Sequence, residues 1–300
     1  MTNRAPINLF KFCKFDKRII SCLINHELWF SNPSDFNDPY DCKLELDTEN
    51  TIDEIRSHLN KSNNRHTEYC KKIQDPTRQI AFINELYNFR LDKDQVFQII
   101  DGIYSKNKLV FNNDLIEHRL KEIEQNKHNL SKVINETAQR DVKKYRILCL
   151  SKNVKNSVMW AHYSDNHNGI CIGLDHNQDI NFFKTLLRVK YVSEYPIYNY
   201  IREYDTHMTV QHVFGTKSMD WKYEREYRII KDINSNGFRN NGLLKFNKKI
   251  LTRIYFGLKT KQEDIDIIKE INKNYYDAKI KLFIAHENPK SFELNFEQIK

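Results

Sequence analysis

The thirty residues from Arg146 to Asp175, RILCLSKNVKNSVMWAHYSDNHNGICIGLD, constrain the fold more than any other part of the chain. An apolar run ends on Ser151. Met159, Trp160, His162 and Tyr163 then follow at the spacing of one or two helical turns. A polar turn leads to Gly169, which opens a second apolar run. Strand, short helix and strand, carrying large aromatics and two of the seven glycines of the chain, predict a packed sheet element with a decorated helical turn.

Other parts of the chain fall around it. Ile7 to Phe15 predicts a first strand, and Ile19, Ile20, Leu23 and Ile24 space an amphipathic helix from Asp16 or Lys17 to Glu27. Leu28 to Ser31 is a short strand stopped by Asn32-Pro33. The segment Asn32 to Pro39, NPSDFNDP, is dense in turn formers and predicts an ordered loop. From Thr51 to Lys144, apolar residues recur at three- and four-residue intervals, which predicts four or five helices. Further strands are expected over Leu187 to Val192, Trp221 to Lys231, Ile254 to Leu258, Ile280 to Ala285 and Phe292 to Phe296. Helices are expected over Glu203 to Val213 and Gln262 to Tyr275. Strands at both ends around helices make the fold class α+β, with a core domain at 1–50 and 145–300 and a helical insert at 51–144.

Composition limits the function classes. A chain of 300 residues that is 40% hydrophobic and 29% charged can bury a core. No segment reaches eighteen uninterrupted apolar residues, and the N-terminal stretch has no apolar leader pattern, so a soluble cytoplasmic protein without a membrane partner is expected. The six cysteines form no C-x-x-C pair, which favours reduced thiols over disulfides or zinc. A net charge of +8 favours an anionic partner such as nucleic acid, although no basic block forms a patch by itself. His162, His167 and His176 have no zinc spacing, so no metal ligands are expected among them. Phosphate-loop, dinucleotide and hydrolase motifs are missing from the sequence.

Chemistry concentrates in WKYEREYRIIK. Read with a period of two, Glu224 and Glu226 share one strand face with Arg228. A solvated face with Glu–Arg pairs is the plain reading. A paired-carboxylate site, stabilising positive charge and orienting an acceptor, is the functional one. Asn37 in the NPSDFNDP loop is a further candidate contact.

Together, LWFSNPSDFNDPYD, CLS…MWAHYSDNHNGICIGLD, WKYEREYRII and RIYFGLK resemble the bacterial domain-of-unknown-function 2971 family. A more distant resemblance is to the ADP-ribosyltransferase superfamily: strand-Ser, an aromatic-bearing helix, a second strand and a later Glu-x-Glu. That resemblance implies a core of mixed and antiparallel sheets and NAD as substrate. Glu226 is then the catalytic carboxylate and Glu224 the acceptor-side one. Ser151, Tyr163, Trp160, His162, Lys11 and Asn37 become the NAD-binding set. The first-strand Arg or His of the superfamily is replaced by Lys11, and its Ser-Thr-Ser triplet by Leu-Ser-Lys. The family's company implies a toxin or phage-defence effector modifying nucleic acid or protein. The rival readings are a Mg²⁺-dependent nuclease using Asp38, Asp41 or Asp175 with Glu224 and Glu226, and a non-enzymatic nucleic-acid-binding module.

Overall fold

The computed structural model describes residues 8–43, 45–46, 53–57, 61, 72, 140, 142–199, 211–234, 237–240 and 242–299. The chain divides into two compact units. One comprises Met1–Glu45, Ala138–Pro196 and His207–Lys300, and the other Leu46–Thr137 with Ile197–Thr206. The helical series expected over 51–144 lies almost wholly outside the described residues, as does most of the helix expected over Glu203 to Val213.

The first unit is built on a mixed, mostly antiparallel open sheet of eight strands. Its strands are β1 (Asn8–Cys13), β4 (Tyr145–Ser151), β5 (Ile170–Asp175), β6 (Leu186–Arg188), β10 (Glu226–Asp232), β12 (Leu251–Phe256), β13 (Lys281–Glu287) and β14 (Leu294–Ile299). They lie in the order β14-β13-β12-β5-β1-β4-β10-β6, and only β12 and β13 run parallel. Shorter strands are β2 (Glu27–Trp29), β3 (Glu45–Leu46), β7 (Lys190–Val192), β8 (Ile197–Tyr198), β9 (Thr216–Ser218) and β11 (Leu243–Lys245). The described helices are α1 (Lys17–Asn25), α2 (Ser157–Tyr163) and α3 (Gln262–Tyr275). No helix among the described residues is long and apolar enough to cross a membrane.

Each sheet face is covered, which is why β4 and β5 read as nearly continuous apolar runs. Leu148, Leu150, Ile172, Leu174 and Ile229 pack with Ile19 and Leu23 of α1 and Ile265 and Ile268 of α3. On the other face, Phe10, Phe12, Cys171 and Tyr255 pack with Met159 and Trp160 of α2. Burying each such side chain contributes about 1.5–3 kcal/mol. Local chemistry fixes the helix starts. Asp16 accepts from the amides of Arg18 (2.9 Å) and Ile19 (3.0 Å) at the start of α1. Asn156 does the same for Val158 (2.9 Å) and Met159 (3.2 Å) at α2.

Two expected strands are interrupted. Leu187 to Val192 divides at buried Val189, whose amide donates to the Glu226 carbonyl. β6 pairs with β10, whereas β7 pairs in parallel with β9. Trp221 to Lys231 is not one strand. Met219–Glu224 forms a 3₁₀ turn capped by the Ser218 side chain, Arg225 takes a left-handed φ of 47°, and the strand begins only at Glu226. The period-two argument that put Glu224 and Glu226 on one face therefore fails.

The sheet is thinnest where β1 meets β4, at the single residue pair Phe10↔Ser151. By contrast, β1 pairs with β5 along its whole length, and β4 with β10 from Glu226↔Ser151 to Asp232↔Tyr145.

Candidate functional site

The 3₁₀ turn compensates for the broken strand. Ser151, at the end of β4, donates its hydroxyl proton to the Glu224 carbonyl at 2.6 Å and accepts from the Asn153 amide at 3.0 Å. Asn156 Nδ2 donates to the Tyr223 carbonyl at 3.3 Å. These bonds clamp the turn against β4 and α2, and they bring the Glu224 carboxylate to the same cation as Glu226.

That cation is Lys217 on β9, whose importance the sequence reading missed. Its Nζ lies 2.6 Å from Glu224 Oε2, 3.4 Å from Glu226 Oε2 and 3.6 Å from Asp41 Oδ2. Arg228, which is fully buried, completes the cluster. Its Nε and Nη2 donate to the two oxygens of Glu226 at 2.8 and 2.9 Å, and its Nη1 and Nη2 donate to those of Asp41 at 2.8 and 2.6 Å. A further bond runs from Nη1 to the Phe214 carbonyl at 3.0 Å. Strand register explains the position of Arg228. It lies two residues from Glu226, on the same face, opposite Cys149. A charged residue beside Ile229 and Ile230 in the most apolar part of β10 was the available signal; Lys217, in the unremarkable GTKSMD, offered none.

Three carboxylates thus meet two cations, leaving one negative charge in excess inside the protein. The two glutamates respond in opposite directions. Burial disfavours ionisation of Glu226, but Arg228 and Lys217 outweigh it and hold its carboxyl down at about 2. For Glu224, burial and the Glu226 charge prevail over the Lys217 and Tyr163 bonds, raising its pKa from the ordinary value. Burial also works against the Lys217 charge, yet Glu226, Glu224 and Asp41 raise its pKa. Tyr163 donates to Glu224 Oε1 at 2.6 Å, and burial with that neighbouring charge raises the phenol. Tyr191, also unforeseen, accepts the Glu226 amide at 2.8 Å.

Over the cluster opens a cleft of about 410 Å³, within the range of small-molecule sites. Glu224, Glu226, Ser151, Tyr163, His162, Lys11 and Asn37 all line it. Asn37 reaches it because Asn32 caps Ser34 and Asp38 Oδ1 holds the Tyr40 amide, at 3.1 and 2.9 Å, fixing the loop. Asn37 and Tyr163 line the same cleft. His162 Nδ1 lies 3.0 Å from the Tyr223 hydroxyl. Trp160, expected among the NAD contacts, is placed elsewhere. It is fully buried, donates to the Val154 carbonyl at 2.7 Å and meets Phe12 edge-on, so it serves the core.

Of the residues in the nuclease reading, Asp41, Glu224 and Glu226 do meet, but around the Lys217 ammonium. Asp175 caps the 3₁₀ turn His176–Gln178, and Asp38 lines a separate cavity. Among the described residues, no group of three or more His, Cys, Asp or Glu stands in metal-holding range.

Residues 159–229 match the family described as Protein of unknown function (DUF2971). The DUF2971 match contains Tyr163, Lys217, Glu224, Glu226 and Arg228, and ends inside β10. Asp41, Ser151 and Lys11 enter the site from outside it. No curated protein and no solved structure matches the chain.

Proposed function

We propose that the cleft cleaves the nicotinamide–ribose bond of NAD and transfers the ADP-ribosyl group to an acceptor, as an NAD-consuming effector. One observation carries this reading: the carboxylates of Glu224 and Glu226 share Lys217 at the base of a cleft that Ser151 and Tyr163 also line.

Cleavage passes through an oxocarbenium-like ribose, as in glycoside hydrolysis. The electron pair of the breaking C1′–N bond leaves with neutral nicotinamide. The excess negative charge of the cluster favours the cationic ribose left behind. Glu226, ionised throughout the ordinary pH range, supplies that charge without titrating. Glu224, with its raised pKa, suits the other task of accepting the proton of the acceptor O–H or N–H as it bonds to C1′. Tyr163, hydrogen-bonded to Glu224, orients that carboxylate and offers a ring to a planar base. Lys11 brings positive charge for the pyrophosphate, since Lys217 is engaged by the carboxylates.

A structural reading rests on a specific feature too: both oxygens of Glu226 are already held by Arg228. Nicotinamide release from labelled NAD, with cell extract as acceptor source, separates the two. The transferase reading expects release by the wild type and a fall of at least about 10²-fold in Glu224→Gln, at unchanged folding. Folded protein that neither binds NAD nor releases nicotinamide would leave the cluster as a structural ion-pair network.

A further inference from the structure

The turn and helix that build the cleft also present a second concavity, of about 490 Å³, on their other side. Its wall includes Val158 of α2, Lys222, Tyr223 and Arg225 of the 219–225 turn, and Phe292 and Glu293 between β13 and β14. Phe292 is 99% exposed. One exposed aromatic is ordinary on a protein surface; what surrounds this one is not.

Three loops are fastened together beside it. The Lys152 amide donates to the Arg225 carbonyl at 3.1 Å, the Leu294 amide donates to the Lys155 carbonyl at 2.9 Å, and Asn156 bridges to Glu293. Exposed Lys222 and Arg225 line the concavity, and the fastened loops carry exposed Lys152 and Lys155 beside it, with exposed Lys290 two residues from Phe292. None of the five makes an ion pair among the described residues, and Glu293 is the one acid in the described wall. Unneutralised cations around an uncovered ring match a phosphate backbone with accessible base faces.

We propose that this groove binds single-stranded nucleic acid, with a base stacked on Phe292 and phosphates held by Lys155, Lys222 and Arg225. A duplex keeps its base faces stacked internally, and polyaspartate supplies charge without a ring, so neither uses both features. The groove adjoins the cleft. Tyr223 lines the groove and bonds to His162 of the cleft, while the next residue, Glu224, faces the cleft. Binding here stands on its own observations and needs no NAD chemistry.

The test is fluorescence anisotropy with a labelled fifteen-nucleotide oligothymidine, without NAD, across a salt series. Phe292→Ala is expected to weaken binding about tenfold or more through lost stacking. Lys155→Ala with Lys222→Ala should reduce the slope of log affinity against log salt by about 1.4, at about 0.7 per single-strand phosphate contact. Lys279→Ala, in the α3–β13 connection and outside the groove wall, should leave both quantities unchanged. All these side chains are exposed, so melting curves should match the wild type. Absence of binding at low salt, equal affinity for Phe292→Ala, or equally tight binding of a duplex or polyaspartate would each overturn the proposal.

Discussion

Arg228→Met tests how much the buried charge cluster depends on its guanidinium. The side chain of Arg228 is 0% exposed, and those of Asp41 and Glu226 are 2% and 5% exposed, so water cannot replace what the substitution removes. Four charge-assisted contacts to these carboxylates disappear, along with the bond to the Phe214 carbonyl. Lys217 is left alone against three carboxylates. Breaking one side of a buried pair in this way costs about 3–5 kcal/mol. In a domain of roughly 150–250 residues that lowers Tm by about 6–20 °C. Urea unfolding followed by far-UV circular dichroism measures the loss. Adding Glu226→Gln should restore part of it, with a coupling of about 1–3 kcal/mol, because the second change removes a stranded charge. Arg228→Lys should fall between wild type and Arg228→Met, since an ammonium keeps the charge but cannot bridge two carboxylates bidentately. A loss below about 1 kcal/mol for Arg228→Met, or strict additivity with Glu226→Gln, would show that the ion pairs do not hold this part of the fold.

Stability should depend on pH with two opposing contributions. Glu226 is depressed on folding to about 2, so its stabilisation is present above its unfolded pKa and is lost as pH falls from there through about 2; Glu226→Gln should flatten that acid limb. Glu224 is raised on folding, so its contribution weakens stability as pH rises through its unfolded and folded values; Glu224→Gln should flatten that limb instead, as read from Tm against pH. At Gly257, an added Cβ would meet the His167 carbonyl oxygen at 2.2 Å, where two backbones pass in contact. Gly257→Ala should therefore destabilise by about 1–3 kcal/mol through overpacking, measured by urea unfolding; a neutral effect would mean that the 167–169 turn yields freely.

The parts of the fold legible in the sequence were those governed by local periodicity. The α3 helix matches the expected Gln262 to Tyr275, and β1, β4, β5 and β12 appear where apolar runs predicted strands. The caps at Asp16 and Asn156 came only with the structure. What misled the reading was alternation. WKYEREYRIIK alternates throughout, but Ser218 starts a turn and Arg225 enters left-handed space, so long-range bonds from Ser151 and Asn156 override the period. The cleft residues were recognisable where aromatics and polar groups clustered, as at Tyr163 and Glu224. Lys217 was not, and Asp41 was named only as a metal-site candidate, because its pairing with Arg228 joins residues distant in sequence. Trp160 illustrates the converse: its indole is prominent in the sequence but is spent on the core.

The one-pair seam between β1 and β4 has a consequence for the wall of the cleft. Lys11 and Phe10 stand on one side of it, and Ser151 with the β10 carboxylate Glu226 on the other. Elsewhere in the sheet, parting two long neighbouring strands means breaking a full ladder. Here a single rung joins two internally continuous half-sheets. The seam is thus closed by side chains rather than by a ladder: Leu9, Ile172 and Leu174 on one side pack with Leu148, Leu150 and Ile229 on the other, and Tyr163 of α2 bonds across to Glu224, so the cleft wall there rests on side-chain packing.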